Sequence, residues 1–221
     1  GGFFTAAEPD VMLTEVHRQA ADDPIIRLSM TVREGGTLAL GTYGESSVIS
    51  RRDLEPDAVL GADTVLVGRN NTRRAYNGRI RELLGRTMPT PVVSDTLVCL
   101  KNDRKRGLLN GSIWHVDKVR PARKGLLRYT LSADEDQRGK GRTVVTVNPA
   151  YFDGTAETLT PAERKRSDAF DFGYVLTVHK SQGSQWDDVV LFDESFAFRE
   201  NAWRWLYTGI TRAAKRIRIV R

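Results

Sequence analysis

The arrangement of short apolar runs changes twice along this chain of 221 residues. Residues 63–68 form a β-branched run between turn signals, and the amphipathic stretch that follows ends at Gly85, which predicts a strand and then a helix. Between residues 92 and 150 the chain has short apolar stretches separated by turns, and the strand–helix pattern resumes from about Phe170. We therefore predict an α/β fold with a parallel sheet, interrupted by a small β-rich insertion.

The predicted domain boundaries follow these changes. Residues 1–91 and 170–221 are expected to form the α/β domain, and residues 92–169 a small β-barrel inserted into it. Asn110–Gly111 is a strong hairpin signal within the barrel. Helices are expected from Pro24, over residues 70–85 and over residues 200–208, and the remaining predicted strands are Thr96–Leu100, Ile113–Val119, Leu126–Leu131, Thr143–Val147, Tyr174–Val178, Val189–Phe192 and Ile217–Val220.

Composition narrows the class of protein. Hydrophobic residues make up 40% of the chain and charged residues 28%, as in globular proteins, and no apolar run approaches the roughly 20 residues that cross a bilayer, so no membrane partner is expected. The single cysteine, Cys99, cannot form an internal disulfide, which favours a reducing, cytoplasmic location, and its apolar run is expected to be core. With one cysteine and three histidines, no metal site is expected.

The net charge of +6 favours a polyanionic partner such as nucleic acid, although charge alone is not specific. The chain begins Gly1–Gly2 without a methionine. We expect this start to be a cut inside a longer polypeptide or the remnant of a tag.

Residues 177–187, Thr-Val-His-Lys-Ser-Gln-Gly-Ser-Gln-Trp-Asp, carry groups that suit phosphate and sugar contacts. The hydroxyls can donate hydrogen bonds, the histidine and lysine can be cationic, and Gly183 lets backbone amides approach a ligand closely. Such groups at the carboxyl end of a predicted strand lie where α/β sheets bind ligands. The alternative is a polar loop in contact with solvent.

A second segment, Leu206–Ala213, places Arg212 directly after Thr-Gly-Ile-Thr. An arginine supplied from a neighbouring domain can stabilise charge on a transferred γ-phosphoryl group. Its planar fork engages phosphate oxygens and keeps its charge at any ordinary pH. The alternative is a solvated arginine at the end of a helix.

These two segments, in this order and at this spacing, resemble motifs V and VI of superfamily 1 helicases. Residues 13–20 resemble motif IV as the RecD-like branch has it, and residues 70–77 resemble a helix start whose polar residues lie near DNA in that family. Residues 100–112 resemble the lead into the family's SH3-like insertion. The resemblance implies the second RecA-like motor domain, with an inserted SH3-like barrel, of a helicase similar to the exonuclease V α subunit.

The resemblance also implies roles for individual residues. Arg18 and Arg212 would contact the γ-phosphate, and Gln185 stands where many relatives have a glutamate near the nucleotide ribose. The other residues implied near the nucleotide are Gln19, Gly183 and Gly209. The residues implied to contact the single strand, or to couple it to the nucleotide, are Asn71, Thr72, Arg73, Thr177, His179, Lys180 and Ser181.

Residues 189–194, Val-Val-Leu-Phe-Asp-Glu, mimic a Walker B strand, whose carboxylates hold magnesium. A Walker B strand works with a Gly-x-x-x-x-Gly-Lys-Ser/Thr loop, which this sequence lacks. Asp193 and Glu194 are therefore predicted to end a buried strand. By the resemblance, ATP and Mg²⁺ would be bound mainly by an N-terminal RecA-like domain of the same polypeptide, so this chain alone is expected to hydrolyse no ATP.

Four tryptophans could stack on bases, namely Trp114, Trp186, Trp203 and Trp205. Trp203 recurs with Leu206 and Ile210 at helical spacing, so we expect it in the core. For Trp114 both roles stay open.

The resemblance implies ATP-driven translocation on single-stranded DNA, typically 5′ to 3′, with nuclease or recombination subunits as possible partners. Two other classes of function remain open. One is a stand-alone module that binds single-stranded nucleic acid, and the other is a structural subunit that docks on a separate P-loop protein. DNA and RNA are not distinguished by the residues themselves, since none is recognisable as a reader of the 2′-hydroxyl.

Overall fold

A computed structural model describes residues 22–133 and 141–221. The chain divides into two compact units, which are described separately. The first unit contains the described part of Gly1–Arg69 together with Ser181–Arg221, and the second unit contains Asn70–Lys180. The boundaries predicted from the sequence, 1–91 with 170–221 and 92–169, stay a prediction.

The first unit is built on a mainly parallel sheet, as the sequence predicts. Its strands lie in the order β1-β2-β11-β10-β3, and only the β1–β2 hairpin is antiparallel. β3 is buried throughout, as are the four apolar residues that end β10, whereas the edge strand β1 is exposed or half-buried. Their bounds are Gly41–Tyr43 for β1, Ser46–Ile49 for β2, Thr64–Val67 for β3, Trp186–Phe192 for β10 and Ala213–Val220 for β11.

Helices α1 (Pro24–Arg33) and α6 (Ala202–Ile210) pack against each other in the first unit. The predicted start of α1 is confirmed: Asp23 caps the helix by accepting the Ile25 amide at 2.7 Å, and Pro24 is the first helical residue. Shorter helical segments of this unit are α2 (Pro56–Leu60) and the 3₁₀ turns Arg51–Asp53 and Ser195–Asn201.

The core face of α6 differs from the prediction. Trp203 is 42% exposed, so its assignment to the core is wrong, whereas Trp205 is buried and stacks on Phe198 with ring centroids 5.1 Å apart. The buried residues follow the spacing 205, 206, 209 and 210. Phe198, on which Trp205 stacks, lies in the 3₁₀ segment that precedes the helix, and a count of helical spacing does not include this contact.

The second unit contains a five-stranded antiparallel sheet in the order β7-β6-β5-β4-β8, together with helix α3 (Asn70–Leu83) and strand β9 (Val175–Thr177). Trp114, Tyr129 and Phe170 are fully buried in the core of this sheet. The remaining elements are β4 (Thr96–Cys99), β5 (Ile113–Pro121), β6 (Leu127–Ala133), β7 (Arg142–Val147), β8 (Phe170–Phe172), α4 (Ala150–Asp153), α5 (Pro161–Arg166) and the 3₁₀ turns Arg123–Gly125 and Ala156–Thr158.

The strands predicted over residues 92–150 are confirmed, and Asn110–Gly111 lies in the connection between the antiparallel strands β4 and β5, although this connection is longer than a two-residue hairpin turn. These residues form a turn just before β5, where the Gly111 amide donates to the Cys99 carbonyl at 2.8 Å. The whole connection from β4 to β5 spans residues 100–112, and it contains its own bridge between Asp103 and Leu108. No helix within residues 22–133 and 141–221 has the length and hydropathy to cross a membrane.

Candidate functional site

Arg212 follows the end of α6 and precedes β11 in the first unit. Its guanidinium donates from Nε to the Thr208 carbonyl at 3.2 Å and from Nη1 to the Ser184 carbonyl at 3.1 Å. A longer contact at 3.4 Å joins Nη2 to the Thr211 hydroxyl. All three acceptors are neutral, and among the described residues no carboxylate forms a salt bridge with Arg212. The side chain is therefore positioned by uncharged groups while its positive charge has no counter-ion there.

The loop before β10 is bonded to the turn before β11. The Trp186 amide donates to the Arg212 carbonyl at 2.9 Å, and the Gln185 side-chain amide donates to the Ala213 carbonyl at 3.4 Å. The ends of the two sequence segments that resemble motifs V and VI are thus joined directly. Of the other predicted nucleotide-side residues, Gly183 is exposed with φ +88, and Gly209 is buried in α6.

Asp193 and Glu194 follow β10 and hold the carboxyl ends of the sheet strands together. One oxygen of Glu194, which is fully buried, accepts the Gly68 and Arg69 amides at 2.8 and 2.9 Å, and the other accepts the Arg69 Nε at 3.0 Å. Asp193 pairs with Arg221 at 3.2 Å. Both carboxylates are engaged by the protein, so the prediction that they end a buried strand is confirmed.

In the second unit, β9 ends in the predicted strand-binding segment. Thr177 is buried, and its carbonyl accepts the Lys180 amide at 2.9 Å, which closes a turn at the end of the strand. His179 and Lys180 are exposed on this turn. Partial desolvation and the nearby guanidinium groups of Arg73 and Arg74 lower the pKa of the Lys180 ammonium, against the opposing effect of Asp171. Ser181, the next residue, is buried and belongs to the first unit.

Two neighbouring arginines near the start of α3 have different environments. Arg73 is buried and donates to Asp171 of β8 at 2.8 Å, so its charge is already paired inside the second unit. Arg74 is exposed, and its guanidinium lies beside Gly154, where an added Cβ would come within 3.1 Å of Cζ. Asn71 is exposed and Thr72 is half-buried.

Two buried polar residues that the sequence did not single out hold these segments in place. The side-chain amide of Asn77 in α3 donates to the Val175 carbonyl at 3.0 Å and accepts the Val175 amide at 3.1 Å, which fixes the helix on β9. Asp95, which is fully buried, accepts from Arg81 at 3.1 Å and from the Tyr174 hydroxyl at 2.7 Å. In the sequence, Asn77 could have been noticed as a polar residue on the inner face of an otherwise amphipathic helix.

Arg18 and Gln19 lie outside the described residues. Within the described part of the chain no group of three or more His, Cys, Asp or Glu side chains is placed to bind a metal ion.

The chain is similar in sequence to known helicases. The model of the UvrD-like helicase C-terminal domain matches residues 172–220. An ATP-dependent RecD2 DNA helicase from Deinococcus radiodurans is 27% identical over 239 aligned residues, which cover 95% of this chain and 28% of that protein. The chain therefore spans little more than a quarter of this relative.

The fold also matches solved structures of Pif1 helicases. One, from work on DNA unwinding at forked double-stranded DNA by two coordinating Pif1 helicases, has a TM-score of 0.53 at 12% identity and covers 88% of this chain and 46% of that one. At this identity the match shows a shared fold. A Pif1 helicase from Candida albicans gives a TM-score of 0.49 at 13% identity, covering 89% of this chain and 53% of that one.

Residues 172–220, which are similar to the UvrD-like helicase C-terminal domain, include strands β10 and β11 of the parallel sheet. The similarity to the RecD2 DNA helicase extends over 95% of this chain.

Proposed function

We propose that this chain is the second motor domain of an ATP-dependent DNA helicase that moves along single-stranded DNA, 5′ to 3′ as is typical of the RecD-like branch. ATP and Mg²⁺ would be held mainly by an N-terminal RecA-like domain of the same polypeptide. This chain would contribute arginines to the nucleotide and polar groups to the strand. The name of the relative, an ATP-dependent DNA helicase, supports the choice of ATP and of DNA.

The observation that carries the proposal is the state of Arg212. A surface arginine usually finds a carboxylate or projects into water, whereas Arg212 is held by backbone carbonyls and keeps its charge uncompensated among the described residues. That is the state required of an arginine that stabilises a transferred γ-phosphoryl group, because an internal ion pair would compete with the phosphate. Arg18 is proposed for the same phosphate, and Gln19, Gly183, Gln185 and Gly209 for the neighbourhood of the nucleotide.

The strand contacts are proposed for the second unit and for Ser181. Three exposed side chains can donate hydrogen bonds to phosphate or sugar oxygens: the amide of Asn71, the imidazole of His179 and the ammonium of Lys180. Thr72 and Thr177 are proposed to orient these groups. Arg73 forms a salt bridge with Asp171 and is proposed to hold the start of α3 in place. Its exposed neighbour Arg74 is the stronger candidate for a direct phosphate contact.

Three finer assignments belong to the same proposal. The antiparallel sheet of the second unit would be the SH3-like barrel that this helicase branch inserts into its second motor domain. The helicase would act in DNA repair or recombination in the cytoplasm of a bacterium or in a phage-like setting. Nuclease or recombination subunits, as in exonuclease V, would be its partners.

Steady-state ATP hydrolysis by the full-length helicase tests the proposal. Arg212→Ala should lower the single-strand-stimulated kcat by about a thousandfold or more, while the Kd for oligo-dT stays within about threefold of the wild-type value. The matched control is Arg216→Ala, which removes an exposed arginine of the same unit that already pairs with Asp188. Equal losses of hydrolysis and of strand binding in Arg212→Ala would instead make Arg212 a DNA contact, and unchanged hydrolysis would refute the assignment.

A further inference from the structure

The hairpin formed by β5 and β6 places two arginines directly opposite each other. Arg120 and Arg128 are paired across the antiparallel ladder, so their side chains leave the same face of the sheet, and both are exposed. Like charges in directly opposed positions destabilise a sheet. The pair is therefore not explained by a contribution to the stability of the sheet.

The charge extends around the tip of this hairpin. Exposed Lys118 precedes the pair on β5, and exposed Arg123 and Lys124 form the turn between the strands. Within residues 22–133 and 141–221, none of these five cations has a salt bridge to a carboxylate. We call Lys118, Arg120, Arg123, Lys124 and Arg128 the hairpin cations.

Three exposed arginines elsewhere in the same unit are paired with carboxylates. Arg142 on β7 pairs with Asp117 at 2.9 Å, and Arg79 on α3 pairs with Glu82 at 3.0 Å. Arg106 is shared between Asp103 and Asp168. The unit therefore has carboxylates placed to neutralise exposed arginines, and the hairpin tip lacks them in the described part of the chain.

We propose that the hairpin cations bind the phosphate backbone of duplex DNA, at a surface separate from the single-strand contacts. A cleft of about 520 Å³ opens at this tip, lined by Pro121, Ala122, Arg123, Leu126, Arg128 and Thr146. No aromatic side chain is among these residues, so the cleft offers bases no stacking platform of the kind that single-strand sites use. Positive charge without stacking suits a duplex, whose bases are already stacked and whose phosphates face outward.

This proposal goes beyond the motor function and does not depend on it. A helicase that holds the duplex near the place where it opens would keep the strand junction close to the motor. The same surface would bind duplex DNA if the chain were only a binding module. Duplex binding and single-strand binding can therefore succeed or fail independently.

Fluorescence anisotropy with the 221-residue chain tests the surface, using a labelled blunt 20-base-pair duplex and a labelled 20-nucleotide oligo-dT at several salt concentrations. Each phosphate contact contributes about −0.9 to the slope of log K against log salt for a duplex. The double variant R120A/R128A should therefore make the duplex slope shallower by about 2 and weaken duplex binding by about tenfold at low salt. Oligo-dT binding should change by less than about twofold, and the control Arg79→Ala should leave both unchanged.

A second variant separates binding from folding. Arg120→Glu converts the repelling pair into an attracting one, so its melting temperature should equal or exceed that of the wild type while duplex binding falls further than in R120A/R128A. Three results would overturn the proposal: no duplex binding by the wild type at low salt, an unchanged duplex slope in R120A/R128A, or an equal loss of oligo-dT binding. A melting temperature that falls in Arg120→Glu would show that the pair has a structural role instead.

Discussion

The guanidinium of Arg212 donates a hydrogen bond to the carbonyl oxygen of Ser184 at 3.1 Å, across 28 positions of sequence. This contact, with the Trp186 amide bonded to the Arg212 carbonyl, joins the ends of the two segments that carry the resemblance to helicase motifs V and VI. A displacement of the loop before β10 would therefore change the position of the Arg212 side chain. Were the proposed strand contact at this loop to move it, the orientation of the arginine would change through these hydrogen bonds.

The first prediction concerns the acidic pair that mimics a Walker B strand. Glu194→Ala leaves the buried Gly68 amide and the Arg69 amide without their acceptor, so the free energy of unfolding should fall by about 2–4 kcal/mol. Urea unfolding of the 221-residue chain measures this. Asp187→Ala is the matched control, because Asp187 is exposed and pairs with exposed Lys215, and its loss should be within about 1 kcal/mol. A wild-type stability in Glu194→Ala would contradict the structural role.

The second prediction separates the two neighbouring arginines of α3. Arg73→Ala leaves the buried carboxylate of Asp171 without its charge partner, so the free energy of unfolding should fall by about 3–5 kcal/mol. Arg74→Ala should leave stability within about 0.5 kcal/mol of wild type and weaken oligo-dT binding several-fold.

A double variant tests whether Arg73 contacts DNA. R73M/D171L replaces the buried ion pair by apolar side chains, which is often neutral for stability, so most of the lost unfolding free energy should return. If Arg73 only positions the helix, oligo-dT binding should return as well. Recovered stability with weak DNA binding would instead assign Arg73 a direct strand contact.

The third prediction is a pH dependence set by Lys180. Its pKa is lowered in the free protein by partial desolvation and by Arg73 and Arg74, and a bound phosphate favours the ammonium form and raises it again. Strand affinity should therefore fall as pH rises through this lowered pKa, which lies below the ordinary lysine value near 10.4. Between these two pKa values, the folded chain should gain stability relative to low pH, because the unfolded state alone favours the charged form.

Lys180→Arg is the control for this dependence, since arginine stays protonated throughout that range. Anisotropy titrations with oligo-dT should show a flatter pH profile for Lys180→Arg than for the wild type. Parallel profiles would remove Lys180 from the strand surface.

Local sequence patterns predicted most of the elements because apolar runs and turn residues are short-range signals. β3 and the strands of the second unit stand out as β-branched runs bounded by Gly, Pro and Asn, and Asp23–Pro24 marks the start of α1. The β1–β2 hairpin was missed although Gly44 and Glu45 form a two-residue turn between its strands, a readable signal.

The facing of side chains within a predicted helix was harder to predict, because it depends on distant partners. Arg73 and Arg74 are adjacent residues of the same type, and the one that is buried, Arg73, is paired with Asp171 from 98 positions away. Asn77 is explained in the same way by the backbone of Val175. The exposure of Trp203 and the burial of Trp205, which stacks on Phe198 from the preceding 3₁₀ segment, likewise depend on contacts outside the helix.

The binding of a transition-state analogue tests most directly the claim that Arg212 acts on the transferred phosphoryl group. In the full-length helicase with single-stranded DNA, Arg212→Ala should weaken binding of ADP with aluminium fluoride by about a hundredfold or more while ADP alone binds within about threefold of wild type, since the arginine acts on charge that develops in the transition state. Arg216→Ala should bind both as the wild type does. Equal affinities of Arg212→Ala and the wild type for the aluminium fluoride complex would contradict the account.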